Sequence, residues 1–144
     1  MKKWTLILCI FCLCKCAMDY SVVSNIKNSS GVAVRVEIQF GRYFFDSVFR
    51  ADREKIRLSI QHINEQAGVP YMFDSSGLIT KYLLEADKIL QVDNTKGGAG
   101  VVPNHETIER ITITTKGNVH VYEQKDLDTL FKKKDNATWE LLIR

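Results

Sequence analysis

The sequence predicts an all-β fold, or a β-rich α+β fold: an antiparallel β-sandwich of about seven strands with one short helix near the C-terminus. Three observations predict it. Apolar and polar residues alternate with period two in several stretches rich in β-branched side chains. Turn signals separate these stretches at short intervals. One late segment replaces the alternation with helical spacing.

Residues 20–26 read as a first strand, and Asn28-Ser29-Ser30-Gly31 as a turn. Residues 31–40 (GVAVRVEIQF) then put Val32, Val34, Val36, Ile38 and Phe40 on one face and Ala33, Arg35, Glu37 and Gln39 on the other. The two segments together predict an opening hairpin. Residues 43–49 (YFFDSVF) are aromatic-rich and read as a further strand. In residues 55–62 (KIRLSIQH), Ile56, Leu58 and Ile60 alternate with Arg57, Ser59 and Gln61, again a strand pattern. Gly68-Val69-Pro70 is a break and Asp74-Ser75-Ser76-Gly77 a turn. Residues 78–84 read as a strand. Residues 81–90 also fit helical spacing through Tyr82, Leu83, Ala86, Ile89 and Leu90, and the surrounding strands tip the reading to strand.

Residues 93–100 (DNTKGGAG) are the most flexible stretch by composition. Residues 108–114 and 119–122 flank Lys116-Gly117-Asn118 as a hairpin. Residues 125–134 (KDLDTLFKKK) predict the short helix. Asp126 would cap it, Leu127, Leu130 and Phe131 share a face, and the lysines would meet the negative end of the helix dipole. Residues 138–143 close the chain as a strand, with Trp139, Leu141 and Ile143 on one side.

A chain of 144 residues with 45% apolar content can bury one real core. Pro70 and Pro103 are the only prolines, so no proline-rich linker divides it, and residues 21–144 read as one domain. Lys2, Lys3 and Lys15 fall in the first sixteen residues, which hold no acid. Without them, 17 Lys and Arg face 17 Asp and Glu. A neutral body lacks the cationic surplus that nucleic-acid binding draws on.

All four cysteines, Cys9, Cys12, Cys14 and Cys16, lie in the opening segment. A basic Met1-Lys2-Lys3 precedes residues 4–13 (WTLILCIFCL), which carry no charge. About ten apolar residues match a signal-peptide core and are too few to span a bilayer core of about 30 Å. The order of charge followed by apolar run predicts a signal peptide over residues 1–16, a short tether over 17–20, and the domain from 21.

Leu13-Cys14-Lys15-Cys16 resembles a bacterial lipobox, in which Cys16 would become the first residue and carry acyl chains of the palmitate type. Lys15 departs from that pattern, which normally has Gly, Ala or Ser there. Ordinary cleavage after Cys16 or Ala17 is the alternative. The alternating cysteines do not match zinc-site spacing, so no metal is expected. The body has no cysteine for a disulfide and must hold itself together by its apolar core.

His62, His105 and His120 are far apart in sequence, and the strand positions of His62 and His120 point them to solvent. Neither G-x-S-x-G nor H-E-x-x-H occurs. Lys96 opens a glycine-rich run that leads into Val101-Val102-Pro103 and not into a helix, so it reads as a mobile loop and not a phosphate cradle. Tyr43, Phe44 and Phe45, together with Lys96, Lys132, Lys133 and Lys134, are the candidate binding surface, for a partner or for anionic headgroups. Asn28-Ser29-Ser30 and Asn136-Ala137-Thr138 match the glycosylation acceptor pattern, which matters only in a eukaryotic secretory route.

Residues 13–16, the turn and strand of 28–40, and the closing strand–helix–strand of 108–143 together resemble the small, uncharacterised cell-envelope lipoproteins of Bacteroidota-type bacteria. The resemblance implies no active site and no cofactor. It implies a membrane-anchored, non-enzymatic accessory or binding module, with the outer membrane favoured and a protein or glycan of the envelope as partner. The alternatives are a plainly secreted or periplasmic interaction protein, such as an inhibitor or adhesin-like module, and a hydrolase whose site assembles from distant His, Asp and Glu.

Overall fold

Alternation puts one buried, mainly apolar row on the inner strands, such as residues 22–28, 34–40 and 108–113, and two such sheets bury their rows against each other. The computed structural model describes residues 20–144. The leader, the tether up to residue 19 and Cys16 lie outside the described residues. The chain order is β1 (Tyr20–Asn28), β2 (Val34–Phe40), α1 (Arg42–Phe49), α2 (Arg53–Gln66), β3 (Tyr71–Asp74), β4 (Ile79–Leu84), β5 (Ile89–Gly97), β6 (Ile108–Thr115), β7 (Asn118–Glu123), α3 (Gln124–Leu130), β8 (Lys132–Lys133) and β9 (Thr138–Ile143).

The strands form a four-stranded sheet, β5-β1-β9-β8, and a five-stranded sheet, β3-β4-β2-β6-β7. All pairings are antiparallel except β1 with β9. Ile26 from the first sheet and Val36, Ile38, Leu84 and Ile111 from the second belong to one buried cluster. The β-sandwich-like class, β-rich with a short helix near the C-terminus, is therefore as the sequence predicts. The counts differ: nine strands and three helices among the described residues, against about seven and one.

Two of those helices replace expected strands. In α2, Ile56 and Ile60 are four apart and buried, whereas Leu58, their expected companion, is 49% exposed. A row of i and i+4 contacts is a helix face, and the same residues also satisfy a period of two over so short a run. The deciding residues flank it. Asp52 caps the helix by accepting from the Glu54 and Lys55 amides. Pairs three or four apart then line the outside: Arg57 with Glu54, Gln61 with Glu65, and Gln66 with His62. In α1, Phe45 and Phe49 stack at 6.2 Å one turn apart. Arg50 and Ala51, both left-handed, end it and turn the chain into α2.

The opening segments do not form a hairpin. β1 and β2 belong to different sheets. The reason is Asn28, fully buried, whose side-chain amide donates to the carbonyls of Val32 (2.7 Å) and Leu84 (2.9 Å). Its side-chain oxygen accepts from the backbone and hydroxyl of Ser30. These bonds fold the turn across to the second sheet, where Gly31 takes φ +76°.

Residues 79–84 and 89–97 are strands, so the strand reading of 81–90 holds, with a turn at 85–88. The supposedly flexible run is ordered as far as Gly97, because residues 93–97 pair with β1. At Gly97 a Cβ would come within 2.9 Å of Val101 Cγ2, so the loop folds back only onto a glycine. The late helix stops at Leu130, and Glu123, not Asp126, is its N-cap, without a side-chain bond. Phe131 turns into the core at 3% exposure. Lys132 and Lys133 therefore leave the helix and pair with β9.

Candidate functional site

The register of β1 turns Val22, Ser24 and Ile26 to the interior. Ser24 is a polar residue in an apolar row, and a buried hydroxyl needs a partner. It finds His105 on the loop between β5 and β6, with Oγ 2.9 Å from Nε2. The other ring nitrogen, Nδ1, lies 3.0 Å from Asp128 Oδ1 on α3. Phe131 stacks on the imidazole at 4.9 Å. Three parts of the chain are thereby held together: first sheet, loop and C-terminal helix.

The order serine, histidine, aspartate is that of a nucleophilic triad, but exposure runs the wrong way. Ser24 is fully buried and the Asp128 side chain is 81% exposed. A nucleophile must meet its substrate, and the orienting carboxylate gains strength from burial. As placed, the arrangement satisfies a buried hydroxyl and orients a ring. His62 and His120 are exposed on α2 and β7, as their sequence reading expects, and do not join it.

Asp93 is the neighbour of this network. A bulge in the β1–β5 pairing brings it opposite Ser24. Burial holds its carboxyl above the ordinary value, partly offset by the Thr95 hydroxyl at 2.7 Å and the nearby His105. A carboxyl raised in the folded state supports folding fully below its unfolded value. It loses that support as pH rises through the folded value, because the ionised form is disfavoured inside. Asp93→Asn should therefore be more stable than the parent at pH 7, with the difference vanishing below about pH 4. Thermal melts of both proteins at pH 7 and pH 3 check this; an equal gain at both would remove burial of the charge as its cause.

Beside the network lie two adjoining clefts. One, about 360 Å³, is lined by Pro103, Asn104, His105 and Asp128. The other, about 590 Å³, is lined by Arg42, Tyr43, Phe44, Ser47 and Glu109. Glu106 and Gln124 line both, so the two form one groove. Tyr43 is 89% exposed on its wall. The groove offers an aromatic ring, a guanidinium, carboxylates and an amide, which suits recognition of a polar, ring-bearing or peptide ligand. Among the described residues no group of three or more His, Cys, Asp or Glu is arranged to hold a metal ion.

The predicted surface residues divide three ways. Tyr43 and Phe44 line the groove. Phe45 is core, 1% exposed, so it is no part of a binding surface: two residues along a helix turn it about 200° from Tyr43, where a strand would have set both on one face. Lys96, Lys132 and Lys133 are exposed on strands of the first sheet, and Lys134 is paired with Glu140 at 2.9 Å. Ser24, Asp93, His105 and Asp128 were not foreseen together. The available signal was Ser24 itself, a hydroxyl in register with Val22 and Ile26.

No protein-family model matches the chain, and neither does any curated protein or solved structure.

Proposed function

We propose that the chain is a lipid-anchored, non-enzymatic accessory or binding module of the bacterial cell envelope, and that the Tyr43 groove is its recognition site. The observation that supports recognition is Tyr43, a large ring left 89% exposed on the wall of a cleft while its neighbour Phe45 is buried. Exposed aromatics in concave sites are where binding energy concentrates. The basic, apolar leader ending at Cys16 supports the anchor. Lys15, atypical before a lipidated cysteine, favours a second reading, in which the same groove serves a secreted interaction protein.

Affinity capture from native membranes tests the proposal, using the full chain, Cys16→Ala and Tyr43→Ala. Envelope protein or glycan retained by the full chain should be lost from Tyr43→Ala, whose stability should stay within about 0.5 kcal/mol of the parent. Loss in Cys16→Ala as well assigns recognition to the anchored form. Retention of the same components by Tyr43→Ala would contradict the groove as the site.

A further inference from the structure

We infer that the Tyr20 end of the first sheet docks on the surface of an anionic bilayer; the inference rests on the lipid-anchor reading above. Four peptide links separate Cys16 from Tyr20, a reach of about 14 Å at full extension. Acyl chains on Cys16 therefore hold this end of the domain, and no other, against the headgroups.

The chemistry at that end suits the position. β1 starts there, with Tyr20 opposite Gly97 and Ser21 opposite Lys96. On the other flank the Val23 amide donates to the Ala137 carbonyl at 2.8 Å, which brings in the turn before β9. Between them a cleft of about 400 Å³ is lined by Tyr20, Val102, Lys133 and Trp139, among others. Tyr20 is 46% and Val102 62% exposed. Lys133 Nζ lies 5.4 Å from the centre of the Trp139 ring.

Tyrosine and tryptophan favour the headgroup zone, where ring and polar tip are both accommodated. Lysines lay their stems along apolar surface and send the ammonium to anionic phosphate. Among the described residues, Lys96, Lys132 and Lys133 form no ion pair, whereas Lys134 is neutralised by Glu140. Asp135 and, on the tether, Asp19 oppose the lysines. The attraction is therefore moderate and falls with salt. It orients a domain already tethered and would not recruit a free one.

Of the two tryptophans, Trp4 leaves with the leader when the chain is cut before Cys16, and Trp4→Phe keeps Trp139 the sole reporter in unprocessed protein as well. Protein expressed from this background and processed and acylated in its native host is reconstituted on phosphatidylcholine vesicles with and without phosphatidylglycerol. Flotation reads the anchor, and quenching of Trp139 by lipid brominated high on the acyl chain reads docking. Quenching should be about twofold stronger with phosphatidylglycerol and should fall to the phosphatidylcholine level in Lys96→Glu/Lys133→Glu. Far-UV circular dichroism confirms that this variant is folded. Protein that floats but shows the same weak quenching in every arm overturns docking and leaves the anchor standing. Protein that carries no acyl group and does not float overturns both.

Discussion

Phe45→Ala should lower the free energy of unfolding by about 3–5 kcal/mol, the range for emptying an aromatic site in a packed core. Phe45 is 1% exposed. It meets Phe44 edge-on at 5.4 Å and Phe40 at 6.1 Å, and stacks on Phe49. It thus joins α1 to the last residue of β2, and truncation removes apolar area and three ring contacts together. The neighbouring Tyr43→Ala, at 89% exposure, should change stability hardly at all. Urea titration of both variants gives the comparison. Equal, small losses would mean that α1 does not pack as described.

Asn28→Ala should cost about 2–4 kcal/mol, because it removes the amide that donates to the Val32 and Leu84 carbonyls and the oxygen that accepts from Ser30. One side chain serves the turn at Val32, the end of β4 at Leu84, and the Ser30 backbone. The backbone of Asn28 adds bonds with Lys88 and Asp87. The crossing between sheets depends on it, so loss of the side chain loosens both turns. Asn28→Asp should be at least as damaging, since a carboxylate would face the carbonyls that the amide now donates to. Chemical denaturation of the two variants checks the order; an unaffected Asn28→Ala would show that the crossing is held elsewhere. The same burial keeps this asparagine from any glycosylation in the folded state, although it sits in an acceptor pattern.

Strands were legible where each spans a half-buried sheet, as in β2, where four alternating buried positions leave no other reading. α2 was misread because its apolar residues, Ile56 and Ile60, satisfy both periods over eight residues. Its capping residue Asp52 and the charged pairs on its outer face were the better signal. The opening hairpin was misread because a turn sequence shows that the chain bends, not which sheet it joins. That choice lies in the long-range bonds of Asn28 to β4. The groove was half legible: exposed aromatics were expected around Tyr43, but Glu106, Gln124, His105 and Asp128 come from later segments that only the fold assembles. The lysines read as one patch with the aromatics stand apart from the groove, since Lys132 and Lys133 leave α3 for a strand.

The most direct test is mass spectrometry of the amino-terminal peptide of protein taken from its native membranes. The proposed anchor requires a chain that starts at Cys16, with its mass raised by acyl chains on thiol and amine. A chain that still starts at Met1, or an unmodified one starting at Ala17 or Met18, would contradict it.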